Sequence, residues 1–155
     1  MATLKQDIKT QSSWIVKAFK ADKLTLDYTI NSFKNLDKFF EKHSKDGKAK
    51  RGGRLSTNLG PILFSIGAYI GETLIKTFPG SKWITDDNDP EGELNVEIKF
   101  PNGSIVWPTQ RVMKRFKNGA EDSLFDYGFL IAKQNGLELP FEIDESKSKP
   151  WWKFW

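Results

Sequence analysis

Residues 56–78 read STNLGPILFSIGAYIGETLIKTF, and this apolar stretch decides the fold. Apolar side chains cover two broad faces of a helix drawn through it, and only Ser65, Glu72 and Lys76 leave a narrow polar strip. Pro61 falls in the first turn, where proline is tolerated. The stretch therefore predicts a buried helix that has neighbours on both sides.

Three glycines mark one side of this helix. At 100° per residue, Gly60, Gly67 and Gly71 fall within about 40° of one another, which predicts a single groove. A glycine in a helix interior costs about 1 kcal/mol relative to alanine. We therefore expect a neighbouring element to approach the helix closely at Gly67 and Gly71.

Two helices are predicted before residues 56–78. A loop connects the second of them to this stretch. The first covers residues 4–21, and the second covers 26–43, where apolar residues recur at three- and four-residue steps after Thr25 as a possible cap. Residues 44–54 are rich in glycine and charge, which predicts a mobile loop.

Strands and two further helices are predicted after it. Pro79-Gly80 ends the central helix, the strand region opens at 82–85, and residues 94–100 and 104–107 form a hairpin around the turn at 101–103. Helices follow over 108–117 and 121–134. The predicted fold is α+β, with three helices, a small three-stranded antiparallel sheet and two helices in that order. We assign residues 1–140 to one domain and 141–155 to a polar linker and an aromatic tail.

The residue types present exclude several functions. The chain of 155 residues has no cysteine and one histidine, His43, which excludes disulfides, cysteine redox chemistry and the common zinc sites. We predict no metal and no cofactor. His43 ends a predicted helix, where the helix dipole favours a cation. The amino terminus does not resemble an export signal and no stretch of 18 apolar residues occurs, so a cytoplasmic location is expected.

Charge is distributed unevenly. Residues 1–54 carry 13 Lys/Arg against 6 Asp/Glu, whereas residues 55–110 carry 3 against 7. A basic first third is typical of a protein that meets an acidic partner or nucleic acid, although it also suits a solvated surface. The candidate binding residues in the glycine-rich loop are Lys48, Lys50, Arg51 and Arg54.

An acidic run over 86–93 supplies a second set of candidate binding residues, Asp86, Asp87 and Asp89. Their alternation resembles a calcium loop, but the twelfth position is Ile98 instead of the required glutamate. An acidic connection between strands is the favoured interpretation.

Glu72 is the best candidate for a functional acid, because it lies in an otherwise apolar helix. Lys76 follows one turn later, in the order that favours an ion pair. We interpret the two as a structural polar seam, with an ion pair or a hydrogen bond to the hairpin, and expect no enzymatic activity. Asp122 and Asp126 are also one turn apart, as acids often are in the first turn of a helix.

A basic helix is predicted over 111–117, with cations at Arg111, Lys114, Arg115 and Lys117. The favoured interpretation is that its apolar residues face the core and its cations are solvated; nucleic-acid binding is the alternative.

The tail ends in Trp151, Trp152 and Trp155. These aromatic residues suit docking on the same domain, a groove on a partner protein, or weak contact with a lipid surface.

Several motifs together resemble an uncharacterised group of small bacterial cytosolic proteins. They are LDYTINSFKNLD at 26–37, the LGxxxxxIGAYIGE pattern at 59–72, Trp83, WPTQRVMKRFKNG at 107–119 and EDSL at 121–124, within a resemblance that spans about residues 24–128. The resemblance implies no active-site residue. Bacterial domains of this kind are often immunity proteins or adaptors, so we expect a non-enzymatic protein-binding protein. The alternative is a nucleic-acid-binding or regulatory protein that uses residues 45–54 and 111–117.

Overall fold

A computed structural model describes residues 3–137, which form an α+β fold. Within these residues the five helices and the three-stranded sheet follow the predicted order, and two short strands that were not predicted lie between the second and third helices. The helices are α1 (Leu4–Ala21), α2 (Phe33–His43), α3 (Leu59–Thr77), α4 (Pro108–Asn118) and α5 (Leu124–Gln134). The strands are β1 (Ser44–Lys45), β2 (Lys48–Ala49), β3 (Lys82–Ile84), β4 (Glu97–Lys99) and β5 (Ile105–Val106). Within residues 3–137, no helix combines the length and the apolar character needed to cross a membrane. The predicted linker and tail lie outside the described residues.

The helix predicted from the central stretch is α3, and it is covered on both sides. Every residue from Ile62 to Gly71 is buried. Helix α1 packs along one side of α3, while α4 and the sheet pack on others. The prediction of a helix with neighbours on both faces is confirmed.

The three glycines of α3 do not share one groove. A Cβ atom on Gly67 would lie 2.9 Å from the Thr109 Cα at the start of α4, and one on Gly71 would lie 2.0 Å from the Trp83 ring on β3. A Cβ atom on Gly60 would meet nothing within 4 Å. The prediction of a single groove is wrong, because two different neighbours use Gly67 and Gly71 while Gly60 lies in the open first turn.

The sheet has the order β3-β4-β5, and all its pairs are antiparallel. Trp83 is paired with Ile98, and Ile98 with Val106. These three side chains share the face that packs on the core, since side chains alternate along a strand. The predicted three-stranded sheet is confirmed.

Helix α2 starts later than predicted. Tyr28 has a left-handed backbone with φ 61°, which ends any helix that begins at residue 26. The Asp27 carboxylate accepts hydrogen bonds from the backbone N–H and the hydroxyl of Thr29, and Thr29, not Thr25, then caps a short 3-10 turn over Ile30–Ser32. Local bonds of this kind compete with helix formation.

The buried phenol of Tyr69 holds this segment against α3. Its oxygen accepts a hydrogen bond from the Tyr28 backbone N–H at 2.8 Å and shares another with the Ser32 hydroxyl. Burial raises the pKa of Tyr69, so the phenol stays neutral. The connection between α1 and α2 is therefore fixed from the centre of the molecule.

The Asp37 carboxylate on α2 joins α4 and α5. It accepts hydrogen bonds from Arg115 Nε at 2.9 Å and from the Leu124 and Phe125 backbone N–H groups at 2.9 and 3.0 Å. An anion at the first turn of α5 also opposes the positive end of the helix dipole. Because Asp37 and the Ser123 hydroxyl cap this turn, α5 begins at Leu124 and not at residue 121.

Two cations of α4 are buried, contrary to the prediction that they are solvated. Arg115 pairs with Asp37, and Arg111 Nη1 lies 3.2 Å from an oxygen of Asp122, which is itself fully buried in a 3-10 turn over Gly119–Asp122. Asp122 thus lies outside α5, and it does not share a helical turn with Asp126. Burial lowers the pKa of Arg111, while the carboxylate opposes that change.

Replacing Gly67 with alanine should lower the free energy of unfolding by about 1–3 kcal/mol, because the new methyl group overlaps the backbone of Thr109. Gly60→Ala is the matched control, for which we expect no loss and a gain of up to about 1 kcal/mol. Urea denaturation followed by circular dichroism measures both. Equal stability of the two variants would contradict the close approach of α4.

Replacing Asp37 with alanine should destabilise the protein by about 2–4 kcal/mol, because it leaves Arg115 buried without its partner and α5 uncapped. Glu41→Gln removes an exposed acid from the same helix and should change stability by less than about 0.5 kcal/mol. Chemical denaturation compares them, and a double-mutant cycle with Arg115→Met isolates the pair. If Asp37→Ala loses no more stability than Glu41→Gln, Asp37 does not join α2 to α4 and α5 as described.

Candidate functional site

A cleft of about 550 Å³ opens where the carboxyl ends of α1 and α2 meet the segment that leads into α3. We call it the basic cleft and define it by the residues used below: Trp14, Asp22, Phe39, Lys42, His43 and Arg54. It combines aromatic side chains, two cations and the single histidine of the chain.

A short hairpin brings the basic segment back to α2. Asp46 and Gly47 both have positive φ, at 53° and 76°, which is the backbone of a tight hairpin turn. Strands β1 and β2 pair on either side, and the Lys50 backbone N–H then donates to the His43 carbonyl at 2.8 Å. The segment predicted as a mobile loop is instead held by backbone hydrogen bonds.

Arg54 enters the cleft in a bidentate pair. Its Nε and Nη2 donate to the two oxygens of Asp22 at 3.0 and 2.7 Å. The hydrogen bond and the charge of Arg54 lower the pKa of Asp22. Asp22 is the residue that ends α1, so this pair ties the basic segment to the first helix.

His43 is buried at the carboxyl end of α2, with 8% of its surface exposed. Its ring lies 4.7 Å from the Phe39 ring, centroid to centroid, and its Nδ1 accepts the Arg54 backbone N–H at 3.1 Å. Burial lowers the pKa of His43, and the charge of Lys42 lowers it further. The expected dipole-stabilised cation is therefore wrong, because desolvation outweighs the helix dipole here.

Only one of the four predicted basic residues lines the cleft. Arg54 lines it, whereas Lys48, Lys50 and Arg51 lie on the hairpin and turn before it. The Lys50 ammonium donates to the Glu41 carbonyl at 2.9 Å. The cleft adds Trp14, Lys42 and His43, which sequence reasoning did not choose. An aromatic residue with 47% of its surface exposed, Trp14, is the signal that points to a binding surface.

Two of the predicted acidic residues, Asp86 and Asp89, stabilise their own loop, and Asp87 binds the start of α1. Asp87 accepts the Leu4 backbone N–H at 2.8 Å, and Asp86 accepts the Asn88 backbone N–H at 3.0 Å. Asp89 accepts from Glu91 and Asn95, and the Asn95 hydrogen bond lowers its pKa. No group of three or more His, Asp or Glu side chains within residues 3–137 is arranged to hold a metal ion.

Glu72 and Lys76 have different partners. Glu72 accepts the Trp83 indole N–H at 3.2 Å, so its partner lies on β3 and not on the hairpin at 94–107 that we predicted. The Lys76 ammonium lies 3.9 Å from the centre of the Tyr28 ring. A second cleft, of about 310 Å³, adjoins Glu72, and neither a histidine nor another carboxylate lines it.

Other predicted candidates do not join a site. Arg111 and Arg115 are buried in ion pairs, so the helix at 111–117 does not present four cations to solvent. Trp151, Trp152 and Trp155 lie outside the described residues.

No protein-family model matches this chain, and no curated protein or solved structure matches it.

His43 should titrate with a pKa below the ordinary value of about 6.5. Because the unfolded chain then binds a proton more readily than the folded one, the free energy of unfolding should fall as pH drops below about 6.5. NMR of the one histidine ring gives the pKa directly, and urea denaturation at pH 7.5 and 5.5 gives the stability. A pKa at or above the ordinary value would refute the burial effect.

Proposed function

We propose that this chain is a non-enzymatic binding protein whose basic cleft receives an acidic segment of a partner protein. The observation that carries the proposal is the placement of the exposed Trp14 beside Lys42 and Arg54 in one cleft. Tryptophan and arginine are the residues that most often dominate the energy of protein interfaces. Lys42 lines the same cleft and gives it the positive charge that attracts an acidic partner.

The chemistry of the cleft favours binding over catalysis. A histidine that activates a hydroxyl group must accept its proton, but the Nδ1 of His43 already accepts the Arg54 backbone N–H. The nearby Ser56 hydroxyl donates to the Gly53 carbonyl at 2.6 Å. The Asp22 carboxylate is held by both nitrogens of Arg54. Asp22, the Nδ1 of His43 and Ser56 thus each have a structural partner.

The form of binding protein that we favour is an immunity protein that neutralises a toxin, or an adaptor, in the cytoplasm of a bacterium. Support comes from the charge segregation and from the sequence resemblance to small bacterial proteins. Complementary charge gives such pairs fast association and specificity.

Nucleic-acid binding is the rival function, and the exposed Trp14 beside cations gives it one favourable feature, since aromatic rings stack on bases. The second surface predicted for nucleic-acid binding, the helix at 111–117, presents fewer cations than expected, because Arg111 and Arg115 are buried. Strong retention of DNA or RNA that decreases with salt would favour this rival over a protein partner.

Reversing the charge of Lys42 tests the proposal. Lys42 forms no ion pair with residues 3–137, so Lys42→Glu should leave the fold intact. A partner is first captured from the native host with a photo-crosslinking residue at Thr57, in the cleft lining, and is then purified. We expect Lys42→Glu to weaken its affinity at least about tenfold, as measured by isothermal titration calorimetry.

Lys133→Glu is the matched control, because it makes the same charge change on α5, at a residue that does not line the cleft. We expect it to leave affinity within about twofold. Failure to recover any stoichiometric protein partner, or an equal loss in both variants, would contradict the proposed function.

A further inference from the structure

Resting on the proposed function, we infer that the basic cleft recognises a carboxylate side chain beside an apolar side chain of the partner. In this arrangement His43 donates its Nε2–H to the carboxylate, and the apolar side chain packs against Trp14. His43 is thereby a residue that determines which partner is bound.

The fold determines which ring nitrogen of His43 carries the proton. Its Nδ1 accepts the Arg54 backbone N–H at 3.1 Å, so the proton of the neutral ring is on Nε2. The contact with Phe39 limits rotation of the ring. Nε2 therefore presents a donor in a fixed direction without the need for a positive charge.

This donor has no hydrogen-bond partner among residues 3–137, and the ring lines the cleft. The buried polar atoms without a partner in this part of the chain are on Ser81 and Thr109, so Nε2 of His43 is reached by solvent from the cleft. An acceptor supplied by a ligand therefore replaces water at a donor whose direction is already fixed.

The other polar groups of the cleft also favour a ligand that accepts hydrogen bonds. Lys42 has no ion-pair partner among the described residues, and Arg54 uses Nε and Nη2 on Asp22, which leaves Nη1. Asp22, the only acid in the lining, is neutralised by that pair. The cleft offers donors and cations, so its ligand must bring acceptors and negative charge.

The apolar part of the ligand is assigned from the aromatic and aliphatic side chains of the cleft. Trp14 exposes 47% of its surface, and Ile15, Phe39 and Ile62 lie beneath the cleft. An aromatic or aliphatic side chain that covers Trp14 excludes water from the neighbouring hydrogen bonds and strengthens them. A volume of about 550 Å³ is in the range of small-ligand sites and admits both side chains.

The probe that tests this inference is the dipeptide N-acetyl-Phe-Glu-amide, with N-acetyl-Phe-Gln-amide and N-acetyl-Ala-Glu-amide as its matched controls. Binding is followed by the amide and histidine-ring NMR signals of the whole chain. We expect saturable shifts at the basic cleft, including His43 Nε2, and affinity at least about fivefold weaker for each control.

Two variants of His43 distinguish the contribution of Nε2 to binding from that of Nδ1. The side-chain amide of glutamine reaches the position of Nε2, whereas that of the shorter asparagine reaches only the position of Nδ1. His43→Gln should therefore retain most of the binding and His43→Asn should lose it, provided that the NMR spectrum of each shows the native fold. Binding that is equal in the two folded variants would overturn the role of Nε2.

Further outcomes separate this inference from the proposed function. A dissociation constant of about 20 mM is the weakest that a useful anchor pair would show, so absence of shifts at 20 mM dipeptide would overturn the inference. Tighter binding of adenosine monophosphate than of the dipeptide would also overturn it. If the dipeptide binds as expected but no protein partner exists, the ligand chemistry holds and the proposed function fails. If a partner binds with no loss in His43→Asn, the proposed function holds and the inference fails.

Discussion

The close approach of two neighbours to α3 is the constraint on which the rest of the structure depends. The start of α4 lies against Gly67 and the Trp83 ring against Gly71, at distances that leave no room for a side chain. Once α4 is placed there, Arg111 and Arg115 project from it to their acids. Arg115 and Asp37 then join α4 to α2, and α2 ends at His43. The position of the basic cleft thus follows from packing at the centre of α3.

Local patterns were enough to predict the helices and the three-stranded sheet, because periodicity reports which face is buried. The apolar residues from Leu26 to Phe40 are all buried, although α2 itself begins only at Phe33. The start was missed because the competing bonds of Asp27 and the contact of Tyr28 with Tyr69 depend on tertiary structure. Burial of Arg111 and Arg115 was missed for the same reason, since charge alone predicts exposure and the partner acids could not be located from spacing.

The candidate site was only partly predictable. Arg54 was chosen from a run of basic residues, but Trp14 and His43 come from two helices whose ends meet only in the folded chain. The Asp46-Gly47 pair is a known hairpin signal, yet the residues around it lack the apolar alternation that normally accompanies it. A polar hairpin of two-residue strands therefore resembles a loop in sequence, and its ability to return Arg54 to His43 is visible only in three dimensions.

The position of Asp37 in the chain has a consequence for synthesis. Its hydrogen-bond partners Arg115, Leu124 and Phe125 lie 78, 87 and 88 residues later. On the ribosome, α2 therefore emerges long before the groups that hold it, and its carboxylate remains hydrated until α4 and α5 have been made. Contacts so distant in sequence close slowly, because chain entropy must be lost first. The amino-terminal part of the domain is thus exposed to chaperones and proteases until α4 and α5 have been made.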